Sequence, residues 1–212
     1  MKLLIFGGTR FLGRHITAAA LARGHHPTLF HRGVTNPDLF PDVPRRLGDR
    51  DGGLDVLGDE GWDAVVDVCG YVPRVVRASA ERLAGRADAY AFVSTISVYA
   101  DVAGEGPDEN SPVGEPPPEG VETIDGETYG PLKVGCERAV EAVFGARALI
   151  IRPGLLVGPH DPTDRFAYWP ARAAAGGRML APPADAPLQV IDARDLAEWM
   201  IRALEDGAAG TF

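Results

Sequence analysis

Lys2 to Phe6 is an apolar run that ends in Gly7-Gly8, and apolar positions at helical spacing follow from Phe11 to Arg23, with Gly24 as a stop. A strand, a glycine turn and a helix in that order leave few folds open, because the helix must lay its apolar stripe back on a sheet. The rest of the chain repeats the alternation. A second apolar run at Pro27 to Phe30 ends in His31-Arg32-Gly33, and a third strand is expected around Arg45 to Leu47, before Gly48-Asp49. Ala64 to Val68 and Ala89 to Val93 read as buried strands, separated by Pro73 to Leu83, a helix opened by proline. Arg138 to Phe144 continues a helix, Ala148 to Ile151 reads as a strand and Asp192 to Leu204 as a helix. The fold class expected is α/β, a doubly wound parallel sheet, whose ligands sit beyond the carboxyl ends of the strands.

With 212 residues, 45% of them hydrophobic, the chain can bury one substantial core. Its longest apolar runs fall far short of the roughly 20 residues that cross a bilayer, so no membrane partner is expected. Lys2 precedes only a short apolar run, without the longer apolar region and cleavage site of a secretory signal, and the expected location is the cytoplasm. Cys69 and Cys136 have no paired spacing, so neither a disulfide framework nor a metal centre is expected. The net charge of -9 would repel a phosphate backbone and counts against a nucleic-acid partner; a small-molecule substrate fits better. From Gly104 to Gly126 the composition turns to Gly, Pro, Glu and Asp, including Pro116-Pro117-Pro118. This predicts a long exposed loop, of the kind that forms functional lids, just ahead of Tyr129.

The turn Gly7-Gly8-Thr9-Arg10-Phe11-Leu12-Gly13 joins a predicted strand to a predicted helix, the context in which glycines let backbone approach a pyrophosphate at a helix N-terminus. Gly7, Thr9, Phe11, Leu12 and Gly13 are therefore candidate dinucleotide contacts. Arg10 cannot give the close approach of a glycine, but its guanidinium could pair bidentately with a 2′-phosphate. Beyond the second strand, His31-Arg32 offers no carboxylate for the ribose hydroxyls of NAD, and Arg32 suits a phosphate. NADP is thus favoured over NAD. Both arginines could also be solvated surface charges.

Tyr129-Gly130-Pro131-Leu132-Lys133 places a phenol and an ammonium four residues apart, on one face of a helix that tolerates Pro131 only in its first turn. A free tyrosine titrates near pH 10, and a neighbouring cation favours its phenolate. Upstream, the strand ending in Phe92-Val93 runs into Ser94-Thr95-Ile96-Ser97-Val98-Tyr99, which supplies hydroxyls that could hold a substrate oxygen.

Taken in order, these motifs resemble the extended short-chain dehydrogenase/reductase superfamily, the NAD-dependent epimerase/dehydratase family. Gly7 and Gly13 match its GxxGxxG turn, with Arg10 in place of the middle glycine. The resemblance implies a Rossmann domain over residues 1–158 and a partial substrate-binding region with a closing strand and helix over residues 159–212. It assigns Asp49 to the adenine amino group, although a loop aspartate also forms turns, and Cys69-Gly70 to the small pair against the cofactor. Thr95, four residues before Tyr99, becomes the hydroxyl that holds the substrate oxygen, ahead of Ser94 and Ser97. Tyr129 transfers the proton, and Lys133 binds ribose and tunes the tyrosine. Pro153, within Ile151-Arg152-Pro153-Gly154-Leu155-Leu156-Val157-Gly158-Pro159, borders the nicotinamide, and the likeness extends to Val190-Ile191-Asp192 and Asp195-Leu196-Ala197.

The activity implied is hydride transfer to or from a hydroxyl or ketone carbon of a sugar-like or small polar substrate, by a reductase or an epimerase. Family members that dehydrate nucleotide sugars carry an Asp-Glu pair after the threonine, where this chain has Ile96-Ser97, which argues against a 4,6-dehydratase. Relatives run longer and build much of their substrate pocket from the part that follows. His160, Asp161, Arg165, Tyr168 and Trp169 either line what remains of it or belong to a polar surface loop. A homodimer through Pro73 to Leu83 and Arg138 to Phe144 is a further implication. Two alternatives stand beside the enzyme: a non-catalytic NADP-binding sensor, and an RNA-binding protein, because Gly-Gly-Thr-Arg-Phe resembles the opening of chloroplast stem-loop-binding members of the superfamily.

Overall fold

The structure, a computed structural model, describes residues 1–101, 106–183, 185–186 and 188–212. The chain runs β1 (Lys2–Phe6), α1 (Phe11–Ala22), β2 (His26–His31), β3 (Arg45–Leu47), β4 (Trp62–Asp67), α2 (Pro73–Leu83), β5 (Ala87–Val93), α3 (Tyr129–Phe144), β6 (Ala148–Ile151), β7 (Leu155–Val157), α4 (Tyr168–Ala174), β8 (Val190–Asp192), α5 (Ala193–Glu205) and β9 (Gly210–Thr211). Seven strands form one sheet in the order β3-β2-β1-β4-β5-β6-β9, with neighbouring strands paired in parallel. The order reverses between β1 and β4, which opens a crevice at their carboxyl ends. This is a doubly wound, Rossmann-like sheet.

Period-two alternation sets the layers. Leu3 and Ile5 of β1 pack in one core with Ile16 and Ala20 of α1 and Leu196, Met200 and Ile201 of α5. Leu4 and Phe6 face the other way, into a core with Val76 and Leu83 of α2 and Cys136, Ala139 and Phe144 of α3. Each buried Leu, Ile or Phe contributes about 1.5–3 kcal/mol of transfer free energy, so the two cores hold the sheet from both sides. Cys69 and Cys136 are free thiols. No helix among the described residues is long and apolar enough to cross a membrane.

The strands and helices read from the sequence are all present, with ends shifted by one or two residues. Strands β7 and β8 and the short helix α4 go beyond that reading, while β9 lies in the region where a closing strand is implied. β7 and β8 pair in a small separate sheet, and β9 adds a two-residue edge beside β6. At two or three residues, with mostly half-exposed positions, none carries a period that a sequence can display. The chain's last helix and strand return to the main body, α5 against α1 and β9 against β6.

The Gly/Pro-rich stretch was expected to begin at Gly104, but residues 104 and 105 lie outside the described residues. From 106 to 126 it forms turns and irregular chain, with one bridge between Tyr99 and Val113. It lies along α2 and α3: a side chain at Gly135 of α3 would meet both Pro73 and Pro116, and Arg74 of α2 bonds Glu122 at 2.8 Å. None of its described residues lines the crevice; those described pack against the helices.

Candidate active site

At the end of β1 the chain turns through Gly7 (φ 100°) and Gly8 (φ 96°), conformations open to glycine at little cost. Phe11 follows at φ 37°, a strained value for a residue with a side chain. A Cβ on Gly13 would stand 2.7 Å from the Gly8 backbone nitrogen, so only glycine lets α1 start against the turn. Thr17 closes the unit by donating to the Gly8 carbonyl at 3.1 Å. The segment after β2 latches on from the side. Thr9 Oγ1 donates to the Thr35 carbonyl and Asn36 Nδ2 to the Thr9 carbonyl, each at 2.8 Å. The buried Thr9 hydroxyl thus holds the turn in shape. Arg10 stands at the N-cap of α1 without a side-chain cap, and the first helical turn holds no acidic residue, so its N–H groups face the crevice uncapped.

The turn forms one wall of a cleft of about 690 Å³, lined by Gly7, Gly8, Thr9, Arg10, Phe11, Leu12 and Gly13, then by His31, Arg32, Asp49, Arg50 and Cys69, and at its other end by Tyr71, Ser94, Tyr129, Lys133 and Arg165. The side chains of Arg10 and Arg32 make no hydrogen bond or ion pair with any described residue, leaving two cations free in the wall. His31 Nδ1 accepts the Gly33 N–H at 2.9 Å, which places the ring proton of the neutral imidazole on Nε2. That Nε2 is buried with no partner among the described residues. Burial and Arg45 both lower the pKa of His31, so the ring stays neutral and keeps one unpaired donor. Asp49 caps its own turn, accepting from the Asp51 N–H at 3.0 Å, while Gly70 gives up its carbonyl to Lys133. Pro153 is not on the cleft wall; its carbonyl accepts the Ile96 N–H at 3.1 Å and fixes the turn after β5.

The candidate reactive residues Thr95 and Tyr129 are brought together by a second glycine. A Cβ on Gly130 would run into the Ser97 carbonyl, so the start of α3 can press on the 3₁₀ turn at Ile96–Val98 only without one. Asp125 prepares that start by accepting the Glu127 and Thr128 N–H groups, each at 2.9 Å. Tyr129 thereby faces Thr95, and burial raises the phenol's pKa while the Thr95 hydroxyl and the Arg165 cation oppose the rise. Thr95 Oγ1 also accepts the Ser97 N–H and donates to Ser97 Oγ, both at 3.2 Å. Ser94, by contrast, is 4% exposed and its hydroxyl has no partner among the described residues, so the neighbour ranked second is the free one.

Lys133 takes a position that its spacing from Tyr129 does not reveal. Its Nζ donates to the Gly70 carbonyl at 2.8 Å and the Val93 carbonyl at 2.6 Å, and stands 4.2 Å from the Phe92 ring centre. One of three N–H bonds remains for a ligand. Burial lowers its pKa to about 8. Sequence reasoning also missed Tyr71, whose ring lies 6.5 Å from that of Tyr129 and 5.4 Å from Lys133 Nζ. Its only sequence signal is that it follows Cys69-Gly70. Arg165 lines the cleft, whereas His160, Asp161, Tyr168 and Trp169 do not.

From the cleft wall, Arg50 holds both oxygens of the buried Asp67, whose Oδ2 also accepts the Tyr90 hydroxyl at 2.9 Å. This network was not foreseen, because the three residues are far apart in sequence.

The described residues fit a dinucleotide: an uncapped helix start behind a turn only glycines can make, two unpaired arginines, and two orphaned polar atoms in the lining. The comparisons agree in fold. The chain matches 32% of residues over 114 positions of the chloroplast stem-loop binding protein of 41 kDa b of Arabidopsis thaliana, covering 46% of this chain and 30% of that one. The chain thus spans under a third of that curated relative's length in the match. The UDP-N-acetylglucosamine 4-epimerase of Bacillus cereus superposes with a TM-score of 0.75 at 20% identity, over 100% of this chain and 76% of the enzyme. A human epimerase family protein solved with NADPH superposes with a TM-score of 0.70 at 22% identity, over 100% and 72%. The model of the NAD dependent epimerase/dehydratase family matches residues 3–211, nearly the whole chain, and the chain belongs to that family.

Proposed function

We propose that this chain binds NADP(H) in the 690 Å³ cleft and works as a reductase or epimerase on a hydroxyl or ketone carbon of a sugar-like or small polar substrate. The observation that carries the reading is the meeting, in one cleft at the strand ends, of the glycine turn with Ser94, Tyr129 and Lys133, and of Thr95 with Tyr129. The uncapped start of α1 would hold the pyrophosphate, and Arg10 and Arg32 the 2′-phosphate. The His31 Nε2 donor would serve a ribose or phosphate oxygen, and the remaining Lys133 N–H a ribose hydroxyl. A bound nicotinamide supplies the hydride exchange.

The chain's own residues handle the proton. Tyr129, facing the substrate oxygen, gives or takes its proton, and the hydroxyls of Thr95 and Ser94 hold that oxygen in line. Burial keeps the phenol protonated at neutral pH, the form that suits the reducing direction. Asp49, beyond β3, is the single carboxylate among the residues lining the cleft, which leaves no acid–base pair beside Tyr129 to eliminate water, so dehydration is not the proposed chemistry.

The test is an assay of the purified chain with NADPH against keto sugars and small polar ketones, and by proton NMR against nucleotide sugars for epimer exchange. Turnover that falls about 10²–10⁴-fold in Tyr129→Phe supports the reading. Turnover unchanged in that variant overturns it. The likeness to a stem-loop binding protein makes RNA binding the second reading, against which the net charge of -9 counts; affinity for stem-loop RNA that falls steeply with salt would favour it.

A further inference from the structure

Near its end the loop that follows β7 carries a cation, Arg165, that lines the same cleft as the Tyr129 phenol, and the loop's own hydrogen bonds hold it there. His160 (φ 68°) and Asp164 (φ 48°) both sit in left-handed backbone conformations. Asp161 organises the segment between them: its Oδ1 accepts the Thr163 N–H at 3.0 Å and hydroxyl at 2.7 Å, and its Oδ2 accepts the Arg165 N–H at 3.3 Å. His15 on α1 pins the entry through Nε2 and the Pro159 carbonyl, 2.9 Å apart. Arg165 Nε then donates to Thr163 Oγ1 at 2.7 Å and lies 3.5 Å from Asp161 Oδ2. Its inner nitrogen is held from behind. Neither terminal nitrogen bonds any described residue, and the side chain lines the cleft with Tyr129.

The family pattern gives the tuning role to the lysine four residues after the tyrosine. Here that ammonium donates to the Gly70 and Val93 carbonyls and stands 4.2 Å from the Phe92 ring centre and 5.4 Å from that of Tyr71. We propose that Arg165 is a positioning residue for the reaction at Tyr129, the cation that steadies the phenolate when the proton leaves and so sets the pH at which the tyrosine works. The inference rests on the proposed role of Tyr129.

The groups that face this phenol from the surrounding elements are few. Tyr71 comes from the segment after β4, Ser94, Thr95 and Ser97 from the end of β5, Cys136 and Lys133 from α3 itself, and Arg165 from the loop after β7. Thr95 and Arg165 favour the ionised phenol; Cys136 and burial oppose it. Arg165 is the one cation among these groups with an exposed side chain, 39% exposed, so it can be changed without opening a core.

The experiment is fluorine NMR of the full chain carrying 3-fluorotyrosine, whose ring halogen brings phenol ionisation down to a pH the fold withstands. The Tyr129 signal is identified by its loss in Tyr129→Phe. Its titration is then followed in the unchanged chain, Arg165→Gln and Arg165→Lys, with circular dichroism as the check of folding. The proposal expects the Tyr129 midpoint to rise by roughly half a pH unit or more in Arg165→Gln at low salt, to recover in Arg165→Lys, and to narrow its difference as salt is added. Equal midpoints in the unchanged chain and folded Arg165→Gln overturn it, as does a rise of the same size in Arg165→Lys. Neither cofactor nor substrate is needed, so failure here is distinct from failure of the enzymatic reading, which NADPH binding and turnover test separately.

Discussion

Arg50, in the wall of the candidate cofactor cleft, grips the carboxylate of Asp67 with both terminal nitrogens, at 2.9 and 2.8 Å. Asp67 is 0% exposed and shares its oxygens with the Tyr90 hydroxyl and the Cys69 N–H. Burial pushes its carboxyl upward, but Arg50 and these donors outweigh burial and hold it below the usual carboxylate range. The pair therefore stabilises the fold above the unfolded pKa of an aspartate, and that stability is lost as pH falls through the depressed folded value. Asp67→Asn leaves the Arg50 charge buried without its partner and is expected to cost about 3–5 kcal/mol in urea unfolding. Tyr90→Phe, which removes one donor, should cost about 1–2 kcal/mol. Equal midpoints for Asp67→Asn and the unchanged chain would show that the pair adds nothing.

Gly13→Ala probes the turn. The added methyl would stand 2.7 Å from the Gly8 nitrogen, a backbone atom that cannot swing away. Stability should drop by about 1–3 kcal/mol as α1 is pushed off the turn. NADPH affinity should fall about tenfold or more, which is about 1.4 kcal/mol, because the N–H groups at the helix start move with it. Gly24→Ala serves as a control with no neighbour within 4 Å, and differs in carrying only the strain of its φ of 76°. Calorimetry on both variants separates loss of the cradle from general loosening.

Much of this was legible in the sequence because it is written in short-range patterns. Strand, glycine turn and helix announce themselves at Lys2 to Arg23, and the Tyr129 and Lys133 spacing is read at once as one helix face. What sequence could not display is where Lys133 Nζ ends, since Gly70 and Val93 reach it only through the packing of β4, β5 and α3. The same holds for Gly130, whose need is a close approach to Ser97, and for the Arg50 and Asp67 pair, joined across strands. The stretch around Pro116-Pro117-Pro118 carries the composition of a lid, yet its charges and prolines are used against α2 and α3.

Lys133 should leave a mark on pH stability. Its folded pKa is lowered to about 8 by burial, below that of a lysine in the unfolded chain. Between those values the unfolded state binds more protons, so this group's contribution to stability rises with pH. At neutral pH the buried ammonium works against the fold and is held by its two carbonyls. By pH 9.5 the gain is about 2 kcal/mol. Urea unfolding at pH 7.5 and 9.5, compared between the unchanged chain and Lys133→Met, should show the difference between them shifting by that amount in favour of the unchanged chain. A pH-independent difference would mean that the ammonium titrates as it does in water.

The two hydroxyls beside Tyr129 can be separated once a turned-over substrate is in hand. Thr95 shares its hydroxyl with Ser97, whereas that of Ser94 is unpaired among the described residues. Thr95→Val is expected to lower kcat/KM by about 10²-fold or more, as loss of a donor to a developing oxyanion does, with a smaller effect for Ser94→Ala. The reverse order would assign the substrate oxygen to Ser94.

The central claim is that the cleft binds a 2′-phosphorylated nicotinamide dinucleotide, and calorimetric titration of the unchanged chain and Arg32→Ala with NADPH and NADH tests it most directly. The account predicts NADPH binding that is tighter than NADH binding, with the preference reduced in Arg32→Ala while NADH affinity stays where it was. Binding of neither dinucleotide by the folded chain would contradict it.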